Sequence, residues 1–169
     1  MTELTSAAQE TYAVFNGNGF TLATAESCTG GMIGEALTTV AGVSAVYLGG
    51  VISYANSVKT GVLGVSPDTL MRYGAVSVQT AKEMALGARR LTGATVAVSV
   101  TGIAGPGGGS VEKPVGTVCF GVSSEEETTA VRVQFDPALT REEIRRAAAV
   151  HALTLACKRA EEIAGTGGK

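Results

Sequence analysis

The sequence has no tryptophan, and aromatics make up only 5% of its 169 residues, so the core cannot be assembled around large rings. Hydrophobic residues still reach 45%, which leaves Ala, Val, Leu and Ile to build an interior of single-domain size. Histidine occurs once, at His151, within the run Arg145 to Leu153, where it reads as a packed helix residue. A Ser-His-Asp triad is therefore not expected. The three cysteines, Cys28, Cys119 and Cys157, are odd in number, widely spaced and free of any CxxC pair. They supply neither a disulfide framework nor a structural zinc site. Formal net charge is −2 without a basic block, so no nucleic-acid surface is expected. No apolar run reaches spanning length, and residues 1–19 lack the cationic start and apolar core of an export signal. A cytoplasmic protein without membrane contact is the expectation.

Glycine is abundant instead. The 23 glycines cluster in a few stretches rather than spreading as a linker, which suits turns and close approaches of backbone to another group. Between them the chain alternates helical and strand patterns. Leu4, Ala8, Tyr12 and Phe15 mark a helix that stops at the turn signal 16–19. Residues 20–25 read as a buried strand, 29–40 as a helix, 45–53 as a second strand and 56–62 as a short helix. Ser66-Pro67-Asp68 is a helix start, and a longer helix runs from Ser77 to about residue 91, with Gly93 as its stop. Residues 94–100 form an apolar strand, 115–122 and 128–135 a hairpin. Thr140-Arg141-Glu142-Glu143 is a capping box that opens a helix to about residue 163, leaving a frayed tail at about 164–169. Helices interleaved with strands, plus a late antiparallel pair, imply one α/β domain: a three-layer α/β/α sandwich over a mixed sheet, residues 1–169.

In such folds ligands sit beyond the carboxyl ends of strands. Two glycine-rich stretches fall there: Glu26-Ser27-Cys28-Thr29-Gly30-Gly31 and the loop 101–109 with Thr101, Gly102, Ala104, Gly105 and Gly107. Small side chains and exposed amides suit a phosphate or a developing oxyanion. Neither stretch is a GxxxxGK[ST] or a GxGxxG, so no nucleotide fold is specified. Ser27 occupies a sharp strand-to-helix turn but lacks the G-x-S-x-G elbow, and a serine needs a base. With histidine set aside, Lys59 in "SYANSVK" can act as one only if burial or a nearby cation brings its pKa down by several units. Cys28 is an alternative nucleophile, and Glu26 reads as a capping group.

The stretches "TAESCTGGMIGEALTTVAGVSAVYLGGVISYANSVKTGVLGV", "GAVSVQTAKEMALGAR" and "VSVTGIAGPGGGSVEKPVGTV" closely resemble the C-terminal domain of the CinA family, from about Ala7 to Ala160. Stand-alone members of that family are nicotinamide-mononucleotide amidohydrolases. The resemblance implies hydrolysis of the substrate's carboxamide to nicotinate mononucleotide and ammonia by a serine–lysine dyad, with no metal and no cofactor. It makes Ser27 and Ser44 the candidate hydroxyls, with Ser27 favoured as nucleophile and Ser44 bridging to Lys59 or itself attacking. Tyr54 and Lys59 become the candidate proton-handling pair. For the 5′-phosphate and oxyanion it implicates Thr29, Gly30 and the 101–107 loop, together with Arg141 or Arg145, of which Arg145 is favoured. A non-catalytic module that binds nicotinamide nucleotides is the alternative. A small Ala/Val-rich domain of this kind is also expected to form a homo-oligomer.

Overall fold

The computed structural model describes residues 1–167. Its elements run α1 (Glu3–Asn18), β1 (Leu22–Glu26), α2 (Met32–Thr38), β2 (Tyr47–Ile52), α3 (Asn56–Gly61), α4 (Pro67–Tyr73), α5 (Val78–Thr92), β3 (Val96–Gly102), β4 (Thr117–Ser123), β5 (Thr128–Gln134) and α6 (Arg141–Thr166). The strands form one mixed sheet of order β2-β1-β3-β4-β5. β1 pairs in parallel with β2 and β3, while β3, β4 and β5 are antiparallel. The architecture is the three-layer α/β/α sandwich expected from the sequence.

Alternation along the strands assigns unlike jobs to the two faces. Leu22, Val96, Val98, Val100, Val118, Phe120 and Val122 point one way, against α1, α2 and α6. On the other face β1 and β3 offer Ala23, Ala25 and Ala97, covered by Met84 and Ala88 of α5. Large side chains on the first face fill the thicker layer. Small ones on the second let α5 lie close to the strands, and there Ser99 Oγ donates to Ala81 O while accepting from Gly121 N–H.

The helix starts follow their side chains. Thr2, Ser66 and Ser77 accept from backbone N–H groups as caps, and Thr140 with Glu143 forms the full capping box. Several boundaries differ from the sequence expectation, and four of the differences stand out. The helix expected over 29–40 is confined to α2, because Gly30 and Gly31 adopt φ of 60° and 102° and break the path ahead of it. A 3₁₀ turn, Val43–Ala45, takes the start of the strand expected from residue 45. β3 runs two residues further, to Gly102, because its antiparallel partner β4 extends alongside it. The last helix continues to Thr166 instead of fraying at about residue 164, while residues 168–169 of the expected tail lie outside the described residues. Among the described residues, no helix is long and apolar enough to cross a membrane.

Candidate active site

β1 ends at Glu26, level with Ile52 at the end of its parallel neighbour β2, so the segments leaving the two strands emerge at one edge of the sheet. Ser27 comes directly after β1, its N–H bonded to Val100 O of β3 at 2.9 Å. Lys59 comes after β2 on the short helix α3, which turns its side chain back over that edge. The lysine is 1% exposed and Ser27 is 8% exposed. Lys59 Nζ lies 2.9 Å from Ser27 Oγ, 2.5 Å from Ser53 O and 3.3 Å from Tyr54 O. Burial pulls the amine below its ordinary value of 10.5, with a weaker opposing pull from the Cys28 thiol.

Three oxygens around one nitrogen constrain its proton. As an ammonium, Lys59 gives one N–H to each. As a neutral amine it keeps two N–H bonds and a lone pair. Ser53 and Tyr54 present carbonyl oxygens, which can only accept, so they take the two N–H bonds. The lone pair is then left for Ser27 Oγ, the one partner with a proton to give. The same contacts thus satisfy both charge states and aim the neutral one at the serine.

Glu26 is 2% exposed, and its carboxylate accepts from Ile33 N–H at 2.9 Å and Gly34 N–H at 3.2 Å. The start of α2 is therefore capped from within, and Glu26 has the capping role read from the sequence. Among the described residues, the N–H groups of Cys28, Thr29, Ala104 and Gly105 donate to no other residue. Arg145, the arginine favoured for phosphate, is committed elsewhere. Its Nε donates to Cys28 O and its Nη2 to Thr29 O, both at 3.0 Å, which ties α6 to the serine loop.

The second glycine-rich loop forms the facing wall of a cavity of about 250 Å³, lined by Ser27, Cys28, Tyr54, Lys59, residues 101–105, Gly107, Gly108 and Arg141. Arg141 reaches this cavity and Arg145 does not, which reverses the expected preference. Arg141 Nη1 donates to Gly105 O at 2.8 Å, and Nη2 approaches the Tyr54 hydroxyl at 3.5 Å. The Thr101 hydroxyl gives its proton to Ala75 O at 2.8 Å, so it has none to donate to a phosphate or an oxyanion, and it holds the loop against the segment ahead of α5. Gly102, Ala104, Gly105 and Gly107 contribute backbone only. Among the described residues, the buried Thr29 hydroxyl has no hydrogen-bond partner.

Two expected roles are corrected by position. Ser44 sits in the exposed turn ahead of β2, at the amino end of the strand, whereas Lys59 lies beyond the carboxyl end. The six residues of β2 put about 20 Å between these edges, so Ser44 cannot bridge to Lys59 within this chain. Tyr54 meets Lys59 through its carbonyl, while the residue as a whole is 65% exposed and lines the cavity. His151 is away from the site, against Phe120 with ring centroids 4.7 Å apart, and burial lowers its pKa.

Sequence reasoning missed Ser53 and the wall formed by Ala75 and Val76. Ser53 contributes a carbonyl, which every residue has, and only its place directly after β2 marks it. Cys28 lines the cavity, but burial raises its thiol to about 11 and it is 7% exposed. Iodoacetamide at pH 8 should therefore alkylate Cys28 roughly a hundredfold more slowly than free cysteine, read by mass spectrometry of the peptide containing it. Rapid labelling would bring Cys28 back as a nucleophile. Among the described residues, no group of three or more His, Cys, Asp or Glu side chains is arranged to hold a metal ion.

Residues 4–159 match the family described as CinA, the CinA C-terminal domain. A CinA-like protein of Leptospira borgpetersenii serovar Hardjo-bovis is 55% identical over 117 residues, 69% of this chain. The matched stretch is 28% of that relative's length, so the chain spans well under half of it. A protein of Enterobacter agglomerans named nicotinamide-nucleotide amidohydrolase PncC is 48% identical over 147 residues, covering 86% of this chain and 88% of the relative. Among solved structures, a competence/damage inducible protein of Agrobacterium tumefaciens superposes with a TM-score of 0.88 at 43% identity, over 92% of this chain and 94% of that one. A CinA superfamily protein from Escherichia coli gives 0.82 at 32%, over 91% and 90%.

Proposed function

The chain belongs to the CinA family through its C-terminal domain, and from that premise we propose that it is an amidohydrolase of nicotinamide mononucleotide. The observation that carries this reading is the buried contact of 2.9 Å between Ser27 Oγ and Lys59 Nζ, with two carbonyls directing the amine's lone pair. Ser27 Oγ attacks the carboxamide carbon as its proton passes to neutral Lys59. The former carbonyl oxygen becomes an oxyanion, and the free N–H groups of Cys28 and Thr29 are the nearest backbone donors in sequence to receive it. Lys59 then gives the proton to the amide nitrogen, the C–N bond breaks and ammonia leaves. Water attacks the acyl-serine, Lys59 takes its proton and returns it to Ser27 Oγ, and nicotinate mononucleotide is released.

Ammonia is a poor leaving group until protonated, so a base that keeps and returns the proton answers the main chemical difficulty of an amide. Arg141 is the side chain we assign to the 5′-phosphate, because it alone of the two candidate arginines lines the cavity. The product would return spent nicotinamide to NAD synthesis. Incubating the purified protein with nicotinamide mononucleotide should release ammonia and nicotinate mononucleotide in equal amounts. A Ser27→Ala protein prepared in parallel excludes contaminating amidases. Tight binding without ammonia would replace the amidase by a nucleotide-binding module.

A further inference from the structure

Two walls of the Ser27 cavity are distant in sequence: Ala75 and Val76, between α4 and α5, and the glycine-rich loop with Gly105, Gly107 and Gly108. Two side chains join them. Thr101 Oγ1 donates to Ala75 O at the near end of the loop, and Lys113 Nζ donates to Tyr73 O at 2.6 Å from its far end. The ammonium also lies against the next residue, since a Cβ added to Gly74 would come 3.3 Å from Nζ. The loop needs such support. Gly105 and Gly108 take φ of 77° and 84°, and glycine backbone loses the most freedom on ordering. The turn beyond them closes on itself, Ser110 N–H donating to Lys113 O at 2.9 Å and Lys113 N–H to Ser110 Oγ at 3.0 Å. Among the described residues, 106–113 are hydrogen-bonded to the rest of the chain through Lys113 and through Arg132 Nη2, which donates to Glu112 O at 2.7 Å.

We propose that Lys113 is a positioning residue for the reaction at Ser27, clamping the glycine-rich wall to the α4–α5 connection so that the cavity is shaped before substrate enters. This rests on the amidohydrolase reading. Lys113 does not line the cavity, and it acts through the backbone it fastens. The carbonyl it takes belongs to the last residue of α4, where helix carbonyls lack a partner within the helix and a cation is favoured. Among the described residues Lys113 enters no ion pair, so its charge is spent on that carbonyl. Without the clamp, the loop must be ordered when substrate binds, and the cost falls on KM. The chemical step is spared, because the contacts between Ser27 and Lys59 involve neither wall.

Two measurements on the full chain test the clamp. With nicotinamide mononucleotide as substrate, Lys113→Met should raise KM about tenfold or more and leave kcat within about threefold. Lys113→Arg keeps a donor for Tyr73 O and should return KM to within a few-fold of the wild type. The second measurement needs no substrate. A protease specific for glutamate, with the products read by mass spectrometry, should cut after Glu112 about tenfold faster in Lys113→Met than in the wild type, because cleavage follows local opening. Lys113→Arg should again be close to the wild type. A KM unmoved by Lys113→Met, a loss that Lys113→Arg does not recover, or cleavage at the wild-type rate overturns the proposal. Wild-type protein that releases no ammonia would defeat the amidase reading instead, and the cleavage rates would still judge the clamp.

Discussion

Replacing Lys59 by Met should lower kcat on nicotinamide mononucleotide by about 10³-fold or more and leave KM within a few-fold. The proposed chemistry asks Lys59 to take a proton when the serine attacks and to give it back when ammonia leaves, and both events belong to transition states. In the structure the amine is held by Ser27 Oγ and two backbone carbonyls, so substrate binding is expected to lose little without it. Ser27→Ala should fall as far. The double variant should be no worse than either single one, because the two groups act as one unit. The pH profile supplies an independent reading. Only the neutral amine accepts a proton, so the rate of the wild type climbs as pH rises toward the Lys59 pKa, which burial sets below 10.5. Whatever activity Lys59→Met retains should lack that limb. A variant with normal turnover, or an unaltered pH profile, would remove the dyad from the mechanism.

Much of the site's position was legible in the sequence, because it depends on order and punctuation. Two strand patterns, each leading into small polar residues, put Ser27 and Lys59 at one edge once the strands are parallel. The capping role of Glu26 came from its place before a helix. What stayed hidden depends on side-chain direction and on backbone atoms. Ser44 and Lys59 stand close in number, on either side of one strand, and the length of that strand is what separates them. Arg141 and Arg145 are one helical turn apart, so either suits the same description. Only the packing of α6 shows that Arg145 meets the carbonyls of Cys28 and Thr29 while Arg141 meets the cavity. The carbonyls of Ser53 and Tyr54, which orient the amine, have no signature in residue type at all.

The second large effect falls on the fold. Gly121→Ala should destabilise the protein by about 3 kcal/mol, the upper end for overpacking, and lower the thermal midpoint by roughly 10 °C. Gly121 lies mid-strand in β4, opposite Ser99 of β3 and facing α5. A methyl group there would fall onto Ala81 O of α5, 2.7 Å from Ala81 C and 2.6 Å from Ser99 Oγ. Neither neighbour can yield cheaply. Ala81 is backbone in the first turns of a helix, and Ser99 Oγ already joins the layers by bonding to both Ala81 O and Gly121 N–H. The extra carbon must therefore lift α5 from the sheet or break that bridge. Gly17→Ala is the matched control, because nothing lies within 4 Å of its added carbon and alanine favours the helix it sits in. Its midpoint should hold or rise slightly. Denaturation curves with equal midpoints for both variants would mean that α5 can move off β4 without cost, and the close approach built from Ala97, Ser99 and Gly121 would then not be what seats that layer.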